Sequence, residues 1–303
     1  MKRRRFLKTA NISLGMLVVL QNKAFANFLA NPVYKMTALR NDVGIFTEQG
    51  GTIAWMLNKE GMVVVDSQFP DPAAHLIAEL RKKSVKPIRY LINTHHHGDH
   101  TGGNIAFKGL AEHVIAHSNS LINQRAVAAA QKMESKQLFP DTVFNDQWKT
   151  KVGSELIQAH YFGSGHTNGD SIIHFQHANI AHMGDLMFNR RFPFIDRAAG
   201  ANIQSWVQVL DKAMAKFDSD TLFIFGHALD PEKVTGKKED LKAMQNYLEK
   251  LLLFVGNEIK AGKSKETILK AGAIPGATDY QGQGIQRSLT AAYEELSEKS
   301  GSN

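Results

Sequence analysis

Cysteine is absent from all 303 residues. Disulfides, thiolate metal ligands and cysteine nucleophiles are therefore excluded, and any metal site must be built from nitrogen and oxygen. A chain of this length can bury a core large enough to do without disulfides, so their absence is compatible with an oxidising compartment. Long apolar runs are missing too. The conspicuous stretch from Ile12 to Leu20 is well short of the ~20 apolar residues that a spanning helix needs. There is no short-period repeat and no low-complexity tract. Hydrophobic residues at 43% and charged residues at 21% are those of a globular domain, not of a disordered or multi-span membrane chain.

Charge of one sign is lacking as well, once its location is considered. The formal net charge is +7, but residues 1–26 carry Lys2, Arg3, Arg4, Arg5, Lys8 and Lys23 with no acid, and without them it falls to about +1. A near-neutral remainder offers no basic stripe for a phosphate backbone, which argues against a nucleic-acid partner and against a nuclease. The same 26 residues have the parts of an export signal: a cationic start, a short apolar run, and Ala24-Phe25-Ala26 as a small-x-small cleavage site. Arg3-Arg4-Arg5-Phe6-Leu7-Lys8 resembles the twin-arginine consensus R-R-x-F-L-K. That implies the twin-arginine export machinery as a partner, metal insertion before export, and a periplasmic or secreted protein free of the membrane once the signal is removed. An ordinary secretory signal or a retained anchor are the alternatives. Residues 27–31 read as a linker and 32–303 as one domain.

Short apolar segments at Val43–Glu48, Thr52–Leu57 and Met62–Val65, separated by glycine-containing turns, predict an antiparallel meander. Asp71–Lys83 carries Ala74, Leu76, Ile77 and Leu80 at helical spacing behind Pro72. Ile88–Asn93 predicts a buried strand. Further strands at Val114–Ala116, Leu156–Phe162, Ser171–Phe175, Ile180–Met183 and Thr221–Phe225 are interleaved with helices at Asn119–Lys136, Asn202–Phe217, Lys237–Ile259 and Ile285–Lys299. Strands, helix and strand thus recur in two halves. The expected fold is α/β: an αββα sandwich of two mixed sheets packed face to face, with helices on both outer sides.

The strongest chemical signal follows Ile88–Asn93 directly: Thr94-His95-His96-His97-Gly98-Asp99-His100-Thr101-Gly102-Gly103. In extended chain alternate side chains share a face, so His95 and His97 project together, with Asp99 next in that alternation, while His96 points away. His100 comes where the chain turns, and the glycines at 98, 102 and 103 allow turns tight enough for several ligands to converge. Imidazole nitrogen with carboxylate oxygen is a ligand set typical of zinc, with iron or manganese as other occupants. Arg190-Arg191 reads as a solvated charge pair, with contact to an acidic substrate as the alternative.

The H-x-H-x-D-H pattern after a strand resembles the signature of the metallo-β-lactamase superfamily. Four more segments resemble that family: Gly165-His166-Thr167-Asn168-Gly169-Asp170, Gly184-Asp185-Leu186-Met187-Phe188, Phe225-Gly226-His227, and the early strand Val63-Val64-Val65 ending in Asp66. The resemblance implies that His95, His97 and His166 hold one metal, that Asp99, His100 and His227 hold a second, and that Asp185 bridges them, with Asp66 in support. It implies two Zn2+ per chain, a hydroxide shared between them, and Asp99 as the catalytic residue that orients the nucleophile and passes its proton on. Familiar metallo-β-lactamases have cysteine or serine in place of Asp185, whereas glyoxalase II-like thioesterases and lactonases have the aspartate. The resemblance therefore implies hydrolysis of an ester, thioester or lactone, with β-lactam hydrolysis as the alternative. An iron-dependent sulfur oxygenase and a non-catalytic metal-binding protein are the readings from other classes.

Overall fold

Side-chain alternation along the strands decides the layers. Ile173 and Phe175 of one strand, Ile180 of the next and Ile224 of a third enter one buried cluster together with Val63, Val65 and Ile92. Their sequence neighbours Ile172, Ala181, Phe223 and Phe225 enter another, with Trp206, Leu210, Tyr247, Leu248 and Leu289. A strand buried on both faces sits between two layers, and here one layer is a second sheet and the other is helical.

The computed structural model describes residues 34–300. The expected signal at 1–26 and linker at 27–31 lie outside those residues. One sheet has seven strands in sequence order: β1 (Lys35–Arg40), β2 (Val43–Thr47), β3 (Ile53–Asn58), β4 (Gly61–Val65), β5 (Ile88–Ile92), β6 (Ala111–His117) and β7 (Thr142–Phe144). Strands β2 to β4 pair antiparallel, as the meander predicts, and β4 to β7 pair parallel. The other sheet is built from β8 (Gln147–Val152), β9 (Glu155–His160), β10 (Ile172–Phe175), β11 (Ile180–His182), β13 (Leu222–Ile224) and β15 (Thr235–Gly236), in the order β15-β13-β11-β10-β9-β8. Between β11 and β15 the chain also forms a parallel ribbon of β12 (Phe188–Asn189) and β14 (His227–Ala228). Both large sheets are mixed, and the architecture is the expected αββα sandwich.

Helices α1 (Pro70–Lys83), α2 (Gly98–Thr101, a single turn) and α3 (Ser118–Gln131) belong to the first half. Helices α4 (Ile203–Lys216), α5 (Lys238–Lys260), α6 (Lys265–Ile268) and α7 (Ile285–Ser300) follow in the second. The start of α4 is capped twice. Asn202 accepts from the Ser205 amide at 2.7 Å, and Glu295 of α7 accepts from the amides of Ile203 and Gln204 at 2.7 and 3.1 Å. Two acceptors thus satisfy donors that a helix leaves unpaired at its first turn.

Some elements differ from the expectation. The helix foreseen to Lys136 stops at Gln131, because Lys132 turns into the left-handed region at φ 55° and only a short 3-10 turn follows. The alanine-rich composition carried no such stop signal. Strands β1, β7 and β8 were not foreseen. In β8 the residues alternate between exposed and half-buried, so its sequence lacks the apolar run that marks a central strand.

Five of the strands end where chemistry begins. Asp66 follows β4, the histidine turn follows β5, His166 lies in the loop after β9, Asp185 follows β11, and His227 comes after β13. Carboxyl ends of strands from both sheets therefore open onto one crevice.

Candidate metal centre

The seven residues expected to hold metals come together. His95 Nε2 lies 3.1 Å from His97 Nδ1, which lies 2.8 Å from His166 Nε2. Asp185 Oδ2 stands 3.5 Å from His166 Nε2 and 3.9 Å from His95 Nε2. On the other side of that carboxylate, His100 Nε2 is 3.0 Å from Asp185 Oδ1 and His227 Nε2 is 3.4 Å from Oδ2. Asp99 Oδ2 completes this second group at 3.1 Å from His227 Nε2 and 3.8 Å from His100 Nε2. Atoms bound ~2.0–2.1 Å from one tetrahedral zinc are ~3.3 Å apart, so the observed separations of 2.8 to 3.9 Å suit ligands converging on an ion. Two groups sharing Asp185 fit a dinuclear site.

Hydrogen bonds on the far side of the rings decide which nitrogen faces the centre. Thr94 Oγ1 donates to Asp66 Oδ2 at 2.7 Å and so accepts from His95 Nδ1 at 3.0 Å. His100 Nδ1 donates to Asp66 Oδ2 at 2.7 Å. The Phe194 carbonyl accepts from His166 Nδ1 at 2.7 Å, and Asp196 Oδ2 accepts from His97 Nε2 at 2.9 Å. Each of these four rings donates outward from one nitrogen and turns the other toward the centre, the arrangement that orients metal-ligating histidines. His227 is held by stacking on Phe188, with ring centroids 5.2 Å apart.

Within the centre, His100 Nε2 and Asp185 Oδ1 are buried and have no hydrogen-bond partner, facing each other out of hydrogen-bond alignment. Unsatisfied buried atoms at a shared focus are what a displaced proton network or a cation would complete. Backbone crowds closely around them. A Cβ on Gly226 would collide with Asp185 Oδ1, and one on Gly51 would strike the His100 ring. Asp66 itself adopts φ 64°, a strained conformation for a non-glycine residue, and receives the Thr94 amide at 2.7 Å as well as its two side-chain donors. His95, His100, His166 and Asp185 are buried, whereas His97, Asp99 and His227 are half-buried and form the open side of the crevice.

The metal-free centre has a divided proton inventory. Burial keeps His95 well below the usual imidazole range and brings His166 down to about 3, so both are neutral. Burial also opposes charge on His100 and His227. The carboxylates of Asp185, Asp66 and Asp99 outweigh it at His100, which is held well above the usual range, and Asp185 and Asp99 raise His227 to about 9. Asp185 and Asp99 resist the same burial through these imidazoliums, Asp185 lying well below the usual carboxylate range and Asp99 near 2.

None of the remaining histidines joins either group, although the His96 ring lies 4.3 Å from that of His97 on its outer side. His182, buried, donates to the Thr52 carbonyl at 2.8 Å and accepts from the Gly184 amide at 3.0 Å, which fixes the turn into Asp185. His96 does point away from the centre. Asp99 does not share a strand face with His97, because the chain becomes helical at Gly98 and α2 carries Asp99 and His100 round to the second group. Arg190 is engaged by Asp279 at 3.0 Å and Asp240 at 3.6 Å. Sequence reasoning missed Asp170 as a supporting residue. Its carboxylate accepts the Thr167 amide and hydroxyl, both at 2.8 Å, closing the loop that presents His166, and burial pushes it up to about 7.

The family model described as the metallo-beta-lactamase superfamily matches residues 48–227. The chain belongs to that superfamily. By class it is a metal-dependent hydrolase. Curated relatives include a metallo-beta-lactamase type 2 of Bacteroides fragilis, 23% identical over 233 residues that cover 73% of this chain and 90% of that protein. The metallo-beta-lactamase IND-1 of Chryseobacterium indologenes is 21% identical over 201 residues, 65% of this chain and 80% of that one. Among solved structures, a metallo-beta-lactamase from Pontibacter korlensis superposes with a TM-score of 0.60 at 19% identity, over 71% of this chain and 99% of its own. A double mutant of the sec-alkyl sulfatase PisA1 gives 0.66 at 14% identity, over 87% of this chain and 50% of its own. These two share the fold. The superfamily match and the clustered ligand atoms agree on a site compatible with two metal ions.

The proton inventory has a measurable consequence. At pH 7.5 the metal-free centre holds protons on His100 and His227 that a cation must displace, whereas His95 and His166 have none to give. Calorimetric titration with Zn2+ in buffers of different ionisation enthalpy should show proton release that falls by about one equivalent as pH rises past 9, where His227 loses its own proton before metal arrives. Release independent of pH from 7 to 10 would contradict the inventory.

Proposed function

We propose that the mature chain is an exported dinuclear zinc hydrolase that cleaves an ester, thioester or lactone. The observation that carries this reading is the position of Asp185, whose carboxylate faces His166 Nε2 of one group and His100 Nε2 and His227 Nε2 of the other. In this reading His95, His97 and His166 hold one ion, Asp99, His100 and His227 the other, and Asp185 both. Ions bound there would polarise the scissile carbonyl and bring the pKa of water to around 7, so that no serine or cysteine nucleophile is required.

The chain's own groups supply the rest. Asp99 stays ionised at any physiological pH and lies on the open side of the crevice, so its carboxylate can orient the attacking water and accept its proton. Asp66, through Thr94 and His100, keeps the ligand turn rigid. The buried faces of His95, His166 and Asp185 exclude bulk water from the inner wall, which strengthens every electrostatic interaction made there.

The aspartate at 185 supports ester, thioester or lactone substrates through resemblance, since familiar metallo-β-lactamases have cysteine or serine there and glyoxalase II-like thioesterases and lactonases have the aspartate. A β-lactam is the second reading, supported by the names of the curated relatives. The export reading rests on residues 1–26. In a bacterial host it predicts a periplasmic product whose N-terminal sequence starts at Asn27.

Side-by-side assay of an aryl ester, a thioester, a lactone, a chromogenic cephalosporin and a phosphodiester sorts the substrate classes. Turnover of an ester-type substrate exceeding that of the cephalosporin supports the first reading, and the reverse order supports the second. Asp185→Ala should lower kcat/KM by about 10³-fold, a loss of several kcal/mol of charge stabilisation, and reduce bound metal. Full activity in that variant would eliminate the bridging role.

A further inference from the structure

Among the three histidines of the first group, only His97 meets a carboxylate with its outer nitrogen. His95 Nδ1 meets a hydroxyl and His166 Nδ1 a carbonyl, whereas His97 Nε2 donates to Asp196 Oδ2 at 2.9 Å. Asp196 belongs to none of the family's motifs. It lies in residues 190–201, between β12 and α4, and that segment is fixed on two sides.

Toward the centre, the Phe194 carbonyl takes the His166 proton, the Asp196 amide donates to the His166 carbonyl at 3.2 Å, and the Asn168 amide donates to the Ala199 carbonyl at 2.9 Å. Away from it, α7 grips the segment. Ser288 Oγ donates to the Pro193 carbonyl at 3.0 Å, Arg197 pairs with Glu298 at 2.6 Å and with buried Glu295 at 3.5 Å, and the Arg287 guanidinium sits 5.3 Å over the Phe194 ring. The second oxygen of Asp196 is committed as well, accepting the Ala199 amide at 3.1 Å. A carboxylate held at both oxygens on a segment clasped from behind has a fixed direction, and the imidazole that donates to it inherits that direction.

We propose that Asp196 is a positioning residue that fixes the orientation and tautomer of His97 and thereby sets the metal affinity of the His95–His97–His166 site, leaving the Asp99–His100–His227 site unaffected. The inference rests on the dinuclear reading of the centre. A carboxylate accepting from a ligating imidazole makes the opposite nitrogen more basic and removes the freedom of the ring to rotate, and such partners are worth 10–100-fold in metal affinity.

His96 suggests a different role for the same carboxylate. Its buried Nδ1 has no hydrogen-bond partner, and its Nε2 stops 3.8 Å from Asp196 Oδ2, so His96, His97 and Asp196 could surround a third cation. That arrangement needs His97 to give up its second ring proton and bind metal through both nitrogens. The 2.9 Å contact is an ordinary charge-assisted hydrogen bond that needs neither, and the positioning role is the one the distances favour.

Metal-free full-length protein titrated with Co2+ and followed by absorption tests this. Wild type should take up two equivalents. Asp196→Ala should weaken one of them by about 10–100-fold and leave the other within about twofold. Asp196→Asn, whose single acceptor oxygen cannot serve both His97 Nε2 and the Ala199 amide, should weaken the same equivalent and spare the other. Unchanged affinity at both sites in Asp196→Ala would overturn the proposal, and so would equal weakening of both, which is the mark of a general structural role. A third equivalent in wild type that disappears in both His96→Ala and Asp196→Ala would make Asp196 a ligand and overturn it too. Wild type that takes up no metal defeats the dinuclear reading itself, and the positioning role with it.

Discussion

The structure depends on one electrostatic constraint: a buried carboxylate, that of Asp185, sits among imidazole nitrogens turned toward it. Charges removed from water are costly unless they are paired. Without metal, protons on His100 and His227 provide the pairing, and Asp185 stays ionised against its burial because those imidazoliums are present. The same atoms, relieved of their protons, would meet a divalent cation. Protons therefore compete with metal for these atoms, and the competition weakens as pH rises toward and past about 9.

Everything around the pocket serves to hold those nitrogens inward. Two packed sheets bring five strand ends to one crevice, and no single element carries the site. The turn after β5 supplies four side chains, and the other three come from segments that follow strands of the second sheet. Outer hydrogen bonds then fix each ring. Asp66 serves His100 directly and His95 through Thr94, at the cost of a left-handed backbone. The 190–201 segment serves His97 and His166, and it is braced by the C-terminal helix. Helix α7, far along the chain from any ligand, is thus connected through Arg197 and Ser288 to the wall of the centre.

Much of this was legible in the sequence, for reasons that differ by residue. His95, His97, Asp99 and His100 stand within six positions behind an apolar strand, so local spacing alone marks them. His166, Asp185 and His227 lie far apart, and only resemblance to a family pattern ties them to the first four. The αββα sandwich followed from strands and helices recurring twice, because buried strands need cover on both faces. What was not legible is instructive. The partner of His166 is a backbone carbonyl, which has no sequence signature. Asp196 is a single aspartate between Ile195 and Arg197, and nothing local distinguishes it from a turn residue. Period-two reasoning carried too far at Asp99, where the chain is helical, and strand β8 escaped notice because half of its residues face solvent. His182 lies outside every motif, yet its two backbone contacts shape the approach to Asp185.

The central claim is that seven side chains from both halves of the sandwich grip a pair of ions. Crystals of the zinc-loaded protein measured on both sides of the zinc absorption edge address it directly. Two anomalous peaks about 3.5–4 Å apart are expected, one at each of the two ligand groups that share Asp185. A single peak, or peaks lying away from His166, Asp185 and His227, would contradict it.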